Sequence, residues 1–142
     1  MSVYILDTDH LSWYGRNHPA LIARLLKAQI ILTTTAINAE EQLRGRLAQV
    51  AQAKDGLTLS LAYQRLIETV MLLSEFKILL YDQKSEEIYQ NLKSQRLRVG
   101  TQDLRIGAIA IAHNAILLTR NLQDFEKIPR LVIENWSLEI TL

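Results

Sequence analysis

The residues Val3-Tyr-Ile-Leu-Asp-Thr-Asp9 give the clearest indication of the fold of this chain. Its first four residues are an uninterrupted apolar run rich in β-forming types, which is typical of a short strand buried on both faces of a parallel sheet. Two carboxylates, Asp7 and Asp9, follow this strand at once. Because ligands of open parallel sheets collect outside the carboxyl ends of the strands, these acids predict where the functional site lies.

The rest of the chain alternates short apolar runs with longer helical patterns. Further strands are predicted at 29–33, 76–80, 115–119 and 131–133. Helices are predicted at 20–28, 36–54, 57–74, 84–96 and 102–114, the second and third forming a helical hairpin broken at Asp55-Gly56. This order predicts one α/β domain with a mainly parallel sheet over residues 1–142.

Composition excludes several classes of protein. A chain of 142 residues that is 49% hydrophobic and 22% charged can bury a real core, which argues against intrinsic disorder. The absence of cysteine excludes disulfides, thiolate zinc sites and cysteine nucleophiles. No apolar run approaches the roughly 18 residues of a membrane span, and the start lacks the basic region of a signal peptide. We therefore expect a soluble cytoplasmic protein with no membrane partner.

Acidic residues recur where the predicted strands end or a following helix begins. They are Asp7, the pair Glu40-Glu41, Asp103 and Asp124. Carboxylates that converge on one sheet edge repel each other and raise each other's pKa unless a cation lies between them. A hard divalent ion with oxygen ligands, Mg²⁺ or Mn²⁺, suits such a cluster.

Each acid taken alone also has an ordinary structural explanation. Asp7 and Asp9 suit the capping of a following helix, and Asn38 with Glu41 has the spacing of a capping box. Asp103 follows Thr101, a good N-cap, and favours the dipole of its helix, while Asp124 suits a turn. Only the joint placement of the acids predicts a metal site.

Four segments, in order and spacing, resemble the motifs of PIN-domain nucleases. They are Leu6-Asp-Thr-Asp-His-Leu-Ser12, Glu41-Gln-Leu-Arg-Gly45, Gly100-Thr-Gln-Asp103 with the small-residue helix after it, and Leu118-Thr-Arg-Asn-Leu-Gln-Asp-Phe-Glu-Lys-Ile-Pro129. The resemblance covers nearly the whole chain. Within the family, the chain looks like the VapC type, the toxin of a two-component toxin–antitoxin pair.

This resemblance implies a three-layer α/β/α sandwich and a metal-dependent endoribonuclease. Water as the nucleophile leaves 5′-phosphate and 3′-hydroxyl ends. The resemblance also implies a homodimer and a small antitoxin partner. Carried over by position, it implies an acidic pocket of Asp7, Glu41, Asp103 and Asp124, with Thr8 and Asp9 beside it and polar contacts from Thr119 and Asn121. One departure is Asp9, which stands where many members have asparagine.

Glu40 and Glu41 are adjacent on the predicted helix 36–54, so either of them could be the ligand there. At 100° per residue, Glu40 projects within the apolar arc of Leu43, Leu47 and Ala51, whereas Glu41 lies at its margin. A ligand that faces a cleft belongs at a margin, and the spacing to Gly45 also selects Glu41. Glu40 is expected to point towards buried neighbours and to need a hydrogen-bonding partner there.

Positive charge for a nucleic-acid substrate is concentrated in the last third of the chain. Between residues 93 and 130 there are seven basic residues against three acidic ones, two of which are proposed ligands. Arg98, Arg120 and Lys127 are candidate phosphate contacts, although a solvated helix face would show the same pattern. With only 6% aromatic residues for base stacking, a structured RNA such as a tRNA is the favoured substrate.

Two other functions remain open at this point. The spacing of Asp7 and Asp9 matches the D-x-D of haloacid-dehalogenase-like phosphatases, but Leu11 stands where that pattern expects threonine or valine. A non-catalytic PIN-like interaction module is the other alternative. The pair Trp13-Tyr14 and the hairpin 36–74 are candidate contact surfaces, unless they belong to the core.

Overall fold

The computed structural model describes residues 2–138 and contains a parallel sheet between helices. Within these residues the sheet has five strands in the order β3-β2-β1-β4-β5, every neighbouring pair being parallel. The strands are β1 Val3–Leu6, β2 Thr33–Thr35, β3 Lys77–Leu79, β4 Ala115–Leu118 and β5 Val132–Glu134. The helices are α1 Thr8–Gly15, α2 Pro19–Ala28, α3 Ala36–Gln52, α4 Gly56–Ser74, α5 Gln83–Ser94, α6 Thr101–Ala112 and α7 Leu122–Phe125.

The sheet is covered on both faces, which confirms the predicted α/β fold. Ile5 pairs with Leu117 and packs in one buried cluster with residues of α5 and α6, among them Leu92 and Ile109. The next pair along the same strands, Leu6 with Leu118, packs in a second cluster with α1 and α2. Because successive side chains of a strand point to opposite faces, the two clusters form the two interfaces of a three-layer sandwich.

Parallel pairing brings the ends of the central strands to one edge of the sheet. Leu6 lies beside Leu118, and Leu118 lies beside Glu134. The chain leaves β1 at Asp7, whose backbone N–H donates to the carbonyl oxygen of Leu118 at 2.9 Å. Residues that follow β1, β2 and β4 therefore share one edge.

The position of β2 differs from the predicted strand at 29–33. Gln29 ends α2 with a left-handed backbone (φ 51°), so the strand cannot begin there, and β2 consists of three buried threonines. The Thr34 hydroxyl donates to the Leu6 carbonyl at 2.7 Å, and that of Thr35 donates to Asn38 Oδ1 at 2.7 Å. Side-chain hydrogen bonds of this kind allow a polar, β-branched strand to be fully buried.

The other predicted strands and helices lie within two residues of their observed bounds. No bounds were predicted for the short helices α1 and α7, because eight and four residues are too few for a clear apolar period. The predicted apolar arc of α3 is wrong as a buried face. Its buried residues are Ile37 and Asn38, while Leu47 is 55% exposed.

No helix in residues 2–138 combines the length and the apolar character that crossing a membrane requires.

Candidate active site

Asp7 is held at the sheet edge by side chains from two other elements. It occupies the N-cap position of α1, yet its side chain makes no capping hydrogen bond. Instead, Asn38 Nδ2 donates to Asp7 Oδ1 at 2.7 Å, and Thr119 Oγ1 donates to Asp7 Oδ2 at 2.8 Å. Burial raises the pKa of Asp7, the charge of Asp9 raises it further, and the bonds from Thr119 and Asn38 oppose the rise.

Glu41 on α3 and Asp103 on α6 face the same region. Burial, followed by the charges of Asp7 and Asp103, raises the pKa of Glu41 to about 7. Burial, followed by the charges of Asp7 and Asp124, raises the pKa of Asp103 to about 6. Glu41 Oε1 is buried without a hydrogen-bond partner in the described part of the chain. We call Asp7, Glu41 and Asp103 the acidic centre.

Helix capping does not account for these three acids. The N-cap of α3 is Thr35, whose hydroxyl oxygen accepts from the Asn38 N–H at 3.1 Å, so Asn38 and Glu41 form no capping box. The N-cap of α6 is Gly100, and Thr101 lies inside the helix. The capping explanations of Asp7 and Glu41 are therefore wrong, and so is Thr101 as the N-cap of α6, but Asp103 does lie in the first turn of α6, where a carboxylate favours the helix dipole.

The acidic centre opens into a surface depression of about 450 Å³. The depression is lined by Asp7, Thr8, Asp9, Ser12, Trp13, Arg16, Glu41, Gln42, Asp103 and Arg120. Ser12, Trp13, Arg16 and Gln42 were not among the predicted site residues. A signal for three of them does exist, because residues 9, 12, 13 and 16 share one face of a helix, and this face begins with the acid Asp9.

Asp124 lies near the acidic centre but outside the lining of the depression. Its Oδ2 accepts from Asn121 Nδ2 at 3.1 Å, and its Oδ1 lies 3.6 Å from Lys127 Nζ. The Asn121 backbone N–H donates to Thr119 Oγ1 at 3.0 Å. These contacts agree with a residue that shapes the turn after β4, while its charge still acts on Asp103.

The structure separates the two adjacent glutamates. Glu40 has an exposed side chain that accepts from Gln102 Nε2 at 2.8 Å and from Arg44 at 2.6 Å. The hydrogen bond from Gln102 is the largest cause of the lowered pKa of Glu40. The prediction that Glu40 points towards buried neighbours is wrong, because the side of α3 used for that projection faces outward. Glu41 is the glutamate that lines the depression.

The three predicted phosphate contacts do not lie together. Arg120 lines the depression, whereas Arg98 and Lys127 do not. Lys127 Nζ instead donates to the Arg98 carbonyl at 3.3 Å. Trp13 and Tyr14, predicted as a contact surface, are half-buried and pack against the cluster of Leu6 and Leu118, which agrees with the alternative that they belong to the core.

The carboxylate oxygens of the acidic centre are the type of ligand that a hard divalent cation prefers. Three carboxylates with raised pKa values repel each other, and a cation would offset that repulsion and give Glu41 Oε1 a partner. In residues 2–138, no group of three or more His, Asp or Glu side chains is already placed so that it could hold a metal ion. A cation would therefore have to draw the carboxylates inward.

Comparison with known proteins places the chain in a family. The sequence model of the PIN domain matches residues 4–131, and the chain belongs to the PIN-domain family. This match decides between the PIN-domain and the phosphatase interpretations of Asp7 and Asp9 in favour of the former.

Similar proteins span nearly the whole chain. It is 29% identical to Ribonuclease VapC2 of Rickettsia felis and 26% identical to Ribonuclease VapC1 of Haemophilus influenzae, covering 95% of this chain and 98% of each relative. The crystal structure of VapBC2 from Rickettsia felis bound to a promoter DNA fragment is similar at a TM-score of 0.74 and 28% identity, covering 94% of this chain and 98% of that one. VapBC-1 from nontypeable Haemophilus influenzae, at 23% identity and a TM-score of 0.75, shares the fold.

Proposed function

We propose that this chain is a metal-dependent endoribonuclease, the toxin of a toxin–antitoxin pair. The observation that carries the proposal is the acidic centre at the carboxyl end of the sheet. There, three carboxylates have raised pKa values and one oxygen of Glu41 is buried without a partner. The names of the similar ribonucleases support the choice of RNA as the substrate.

In this proposal Asp7, Glu41 and Asp103 hold Mg²⁺ or Mn²⁺, and Asp124, whose charge acts on Asp103, is a further candidate. When bound, the ion supplies a lower pKa for water and stabilises charge on the phosphate oxygens. Asn38 and Thr119 fix the rotamer of Asp7 through hydrogen bonds to both of its oxygens. Attack by water leaves a 5′-phosphate and a 3′-hydroxyl.

Arg120 and Arg16 supply the positive charge at the mouth of the depression. Both side chains are exposed there and face a region that otherwise carries acids. Guanidinium groups bind phosphate through two hydrogen bonds, so these residues position the RNA backbone beside the acidic centre. Because aromatic residues for base stacking are few, the proposed substrate is a structured RNA, such as a tRNA. The proposed place of action is the cytoplasm.

The hairpin of α3 and α4 is the proposed partner surface. The buried residues of α4 are Ala62, Thr69 and Leu73, while a larger apolar set is exposed: Leu57, Leu61, Tyr63, Ile67, Val70 and Met71. An exposed apolar face of this length marks a protein interface. The similar VapBC2 structure from Rickettsia felis and a toxin–antitoxin complex from Klebsiella pneumoniae support a small antitoxin as one partner, and the proposal of a second copy rests on the exposed apolar face.

The decisive experiment exposes total RNA to the purified chain with Mg²⁺ or with EDTA, followed by sequencing of new 5′-phosphate ends. We expect a small set of sites cut by the wild type with Mg²⁺ and none cut by Asp103→Asn. Cleavage in EDTA would refute metal dependence. No cleavage of any RNA, with no Mn²⁺-linked rise in melting temperature, would support the non-catalytic module instead.

The partner surface has its own test. Ile67→Glu puts a charge on the exposed face of α4, and Lys93→Glu, an exposed change on α5, is the control. If the hairpin joins two copies, light scattering after gel filtration will show a dimer for the wild type and the control and a monomer for Ile67→Glu. A dimer for all three proteins would place that interface elsewhere.

A further inference from the structure

His10 is a fully buried imidazole, three residues after Asp7, that the proposed chemistry does not use. Its side chain is 0% exposed. Nδ1 lies 2.6 Å from Asp9 Oδ1, and Nε2 accepts from the backbone N–H of Trp136 at 3.1 Å. A carboxylate can only accept and a peptide N–H can only donate, so the neutral ring carries its proton on Nδ1.

Asp9 extends this arrangement to the mouth of the depression. While Oδ1 accepts from His10, Oδ2 accepts from the backbone N–H of Arg120 at 2.9 Å. Three hydrogen bonds thus join the residue Trp136 after β5, the first turn of α1, and the segment after β4. We call Trp136, His10, Asp9 and Arg120 the His10 network.

The network explains why an aspartate stands at position 9. Two donors, His10 Nδ1–H and the Arg120 N–H, converge on its two oxygens. An asparagine side chain has one acceptor oxygen and would turn its NH₂ group towards the second donor. Both oxygens of Asp9 are therefore already engaged, which separates Asp9 from the acidic centre even though it lines the same depression.

We propose that His10 is a positioning residue, which orients Asp9 and thereby fixes the Arg120 peptide and its side chain at the mouth of the depression. The same short segment carries Thr119, which donates to Asp7. The consequence for RNA binding rests on the proposed function. The hydrogen-bond network itself does not, and it is tested separately.

Two substitutions divide the two bonds of the imidazole. In His10→Asn the amide nitrogen takes the place of Nδ1 and still donates to Asp9, but the contact with Trp136 is lost. In His10→Gln the amide oxygen takes the place of Nε2 and still accepts from Trp136, but the contact with Asp9 is lost. The variants are matched, because each leaves one bond and both put an amide in the same buried space.

Hydrogen–deuterium exchange of the metal-free protein tests the His10 network without an assay of RNA cleavage. We expect His10→Gln to speed exchange in residues 119–122 at least about tenfold, with β1 and β4 unchanged. We expect His10→Asn to leave that segment at the wild-type rate and to speed exchange near residue 136. Equal exchange at 119–122 in both variants would overturn the proposal, because His10 would then only fill space.

Asp9→Asn keeps His10 in place and provides a second route if either variant fails to fold. It offers one acceptor to two donors, so it too should speed exchange at 119–122, and wild-type exchange there would overturn the proposal. On an RNA that the wild type cuts, His10→Gln should raise KM several-fold, and by more than it lowers kcat, because Thr119 keeps its own hydrogen bond to Asp7, whereas His10→Asn should keep the wild-type KM. If the wild type cuts no RNA, the proposed function fails while the exchange experiment still decides the network.

Discussion

The strand side and the helix side of the acidic centre are built differently. On the strand side, Asp7 follows β1 and receives hydrogen bonds on both oxygens, from Asn38 and Thr119. On the helix side, Glu41 has a buried oxygen without a partner in residues 2–138, and no hydrogen bond lowers the pKa of Asp103. On the strand side hydrogen bonds fix the carboxylate, and on the helix side the carboxylates are compensated only in part, by the charge of Arg44 near Glu41.

This difference shows where a cation would be most useful. Hydrogen bonds to Asp7 favour its charged form and set its orientation before any ligand arrives. Within the described residues, no hydrogen bond favours the charged forms of Glu41 and Asp103, so burial first and the neighbouring carboxylates second raise their pKa values, and the charge of Arg44 offsets only part of the rise at Glu41. The strand side therefore fixes the position of one carboxylate, whereas on the helix side a bound cation would lower the electrostatic cost of ionised Glu41 and Asp103.

Removing either Asp7 or Asp103 should cost the most activity, and the stability of the two variants then distinguishes the strand side from the helix side. Asp7→Asn and Asp103→Asn should each lower RNA cleavage at least about 100-fold, because each removes a charge next to the proposed ion. Without metal at pH 8, Asp103→Asn should raise the melting temperature, since it removes repulsion and no accepted hydrogen bond. Asp7→Asn should not raise it, because an NH₂ group would face Asn38 or Thr119, at a cost of about 1–3 kcal/mol.

Thermal melts in EDTA followed by circular dichroism, with cleavage assays beside them, make this comparison. Equal stabilisation by both variants would mean that the hydrogen bonds to Asp7 do not constrain it. Loss of the fold in both variants would mean that Asp7 and Asp103 are needed for folding rather than for cleavage.

The adjacent glutamates give the next largest contrast. Glu41→Gln should raise the Mn²⁺ concentration needed for half-maximal cleavage on the order of 10- to 100-fold. The matched Glu40→Gln should change that concentration by about twofold or less. Glu41 faces the depression, and the exposed Glu40 would keep an acceptor for Gln102 as a glutamine. Mn²⁺ titrations of cleavage for the two variants side by side test this. A larger loss for Glu40→Gln would overturn the choice of ligand.

Much of the fold could be predicted from the sequence because buried parallel strands leave a strong apolar signal. The runs at Val3–Leu6 and Ala115–Leu118 were predicted to within one residue. The predicted position of β2 was wrong, because the burial of this strand depends on threonine hydroxyls that form hydrogen bonds with Leu6 and Asn38. Contacts between residues distant in the chain cannot be seen in local periodicity.

The candidate site shows the same limit. The acids could be predicted from their place at strand ends, but Asn38 and its bond to Asp7 could not, since that pair is 31 residues apart. The projection of Glu40 failed because the outward side of α3 is apolar too, with Leu47 exposed. Periodicity identifies an apolar face without saying whether this chain or a partner covers it.

Thr119 tests the strand side with a smaller expected effect. Thr119→Val keeps the shape of the side chain and removes the hydroxyl that donates to Asp7 and accepts from Asn121. We expect cleavage to fall about 10-fold, at the low end for a residue that orients a metal ligand. The control Thr33→Val removes a hydroxyl bonded to the Ile31 carbonyl, and cleavage should stay within about twofold. Equal activity losses would mean that the effect is general destabilisation.

The pH dependence of stability tests the helix side and carries the smallest effect. Glu41 has an ordinary pKa of 4.5 and a folded value of about 7, and Asp103 goes from 3.8 to about 6. Between these values the folded state binds more protons than the unfolded state, so the free energy of unfolding of the metal-free protein falls as pH rises from about 4 to 7. The contribution of both groups is fully favourable below their ordinary pKa values and is lost above the folded ones.

Urea titrations in EDTA at pH 5, 6, 7 and 8 measure the slope, and the double variant Glu41→Gln/Asp103→Asn provides the control, because it keeps every other titrating group. We expect the wild type to lose more stability than this control between pH 5 and 7, and Mn²⁺ to remove most of the difference. Identical slopes for the two proteins would show that the helix side holds no repulsion for a cation to relieve.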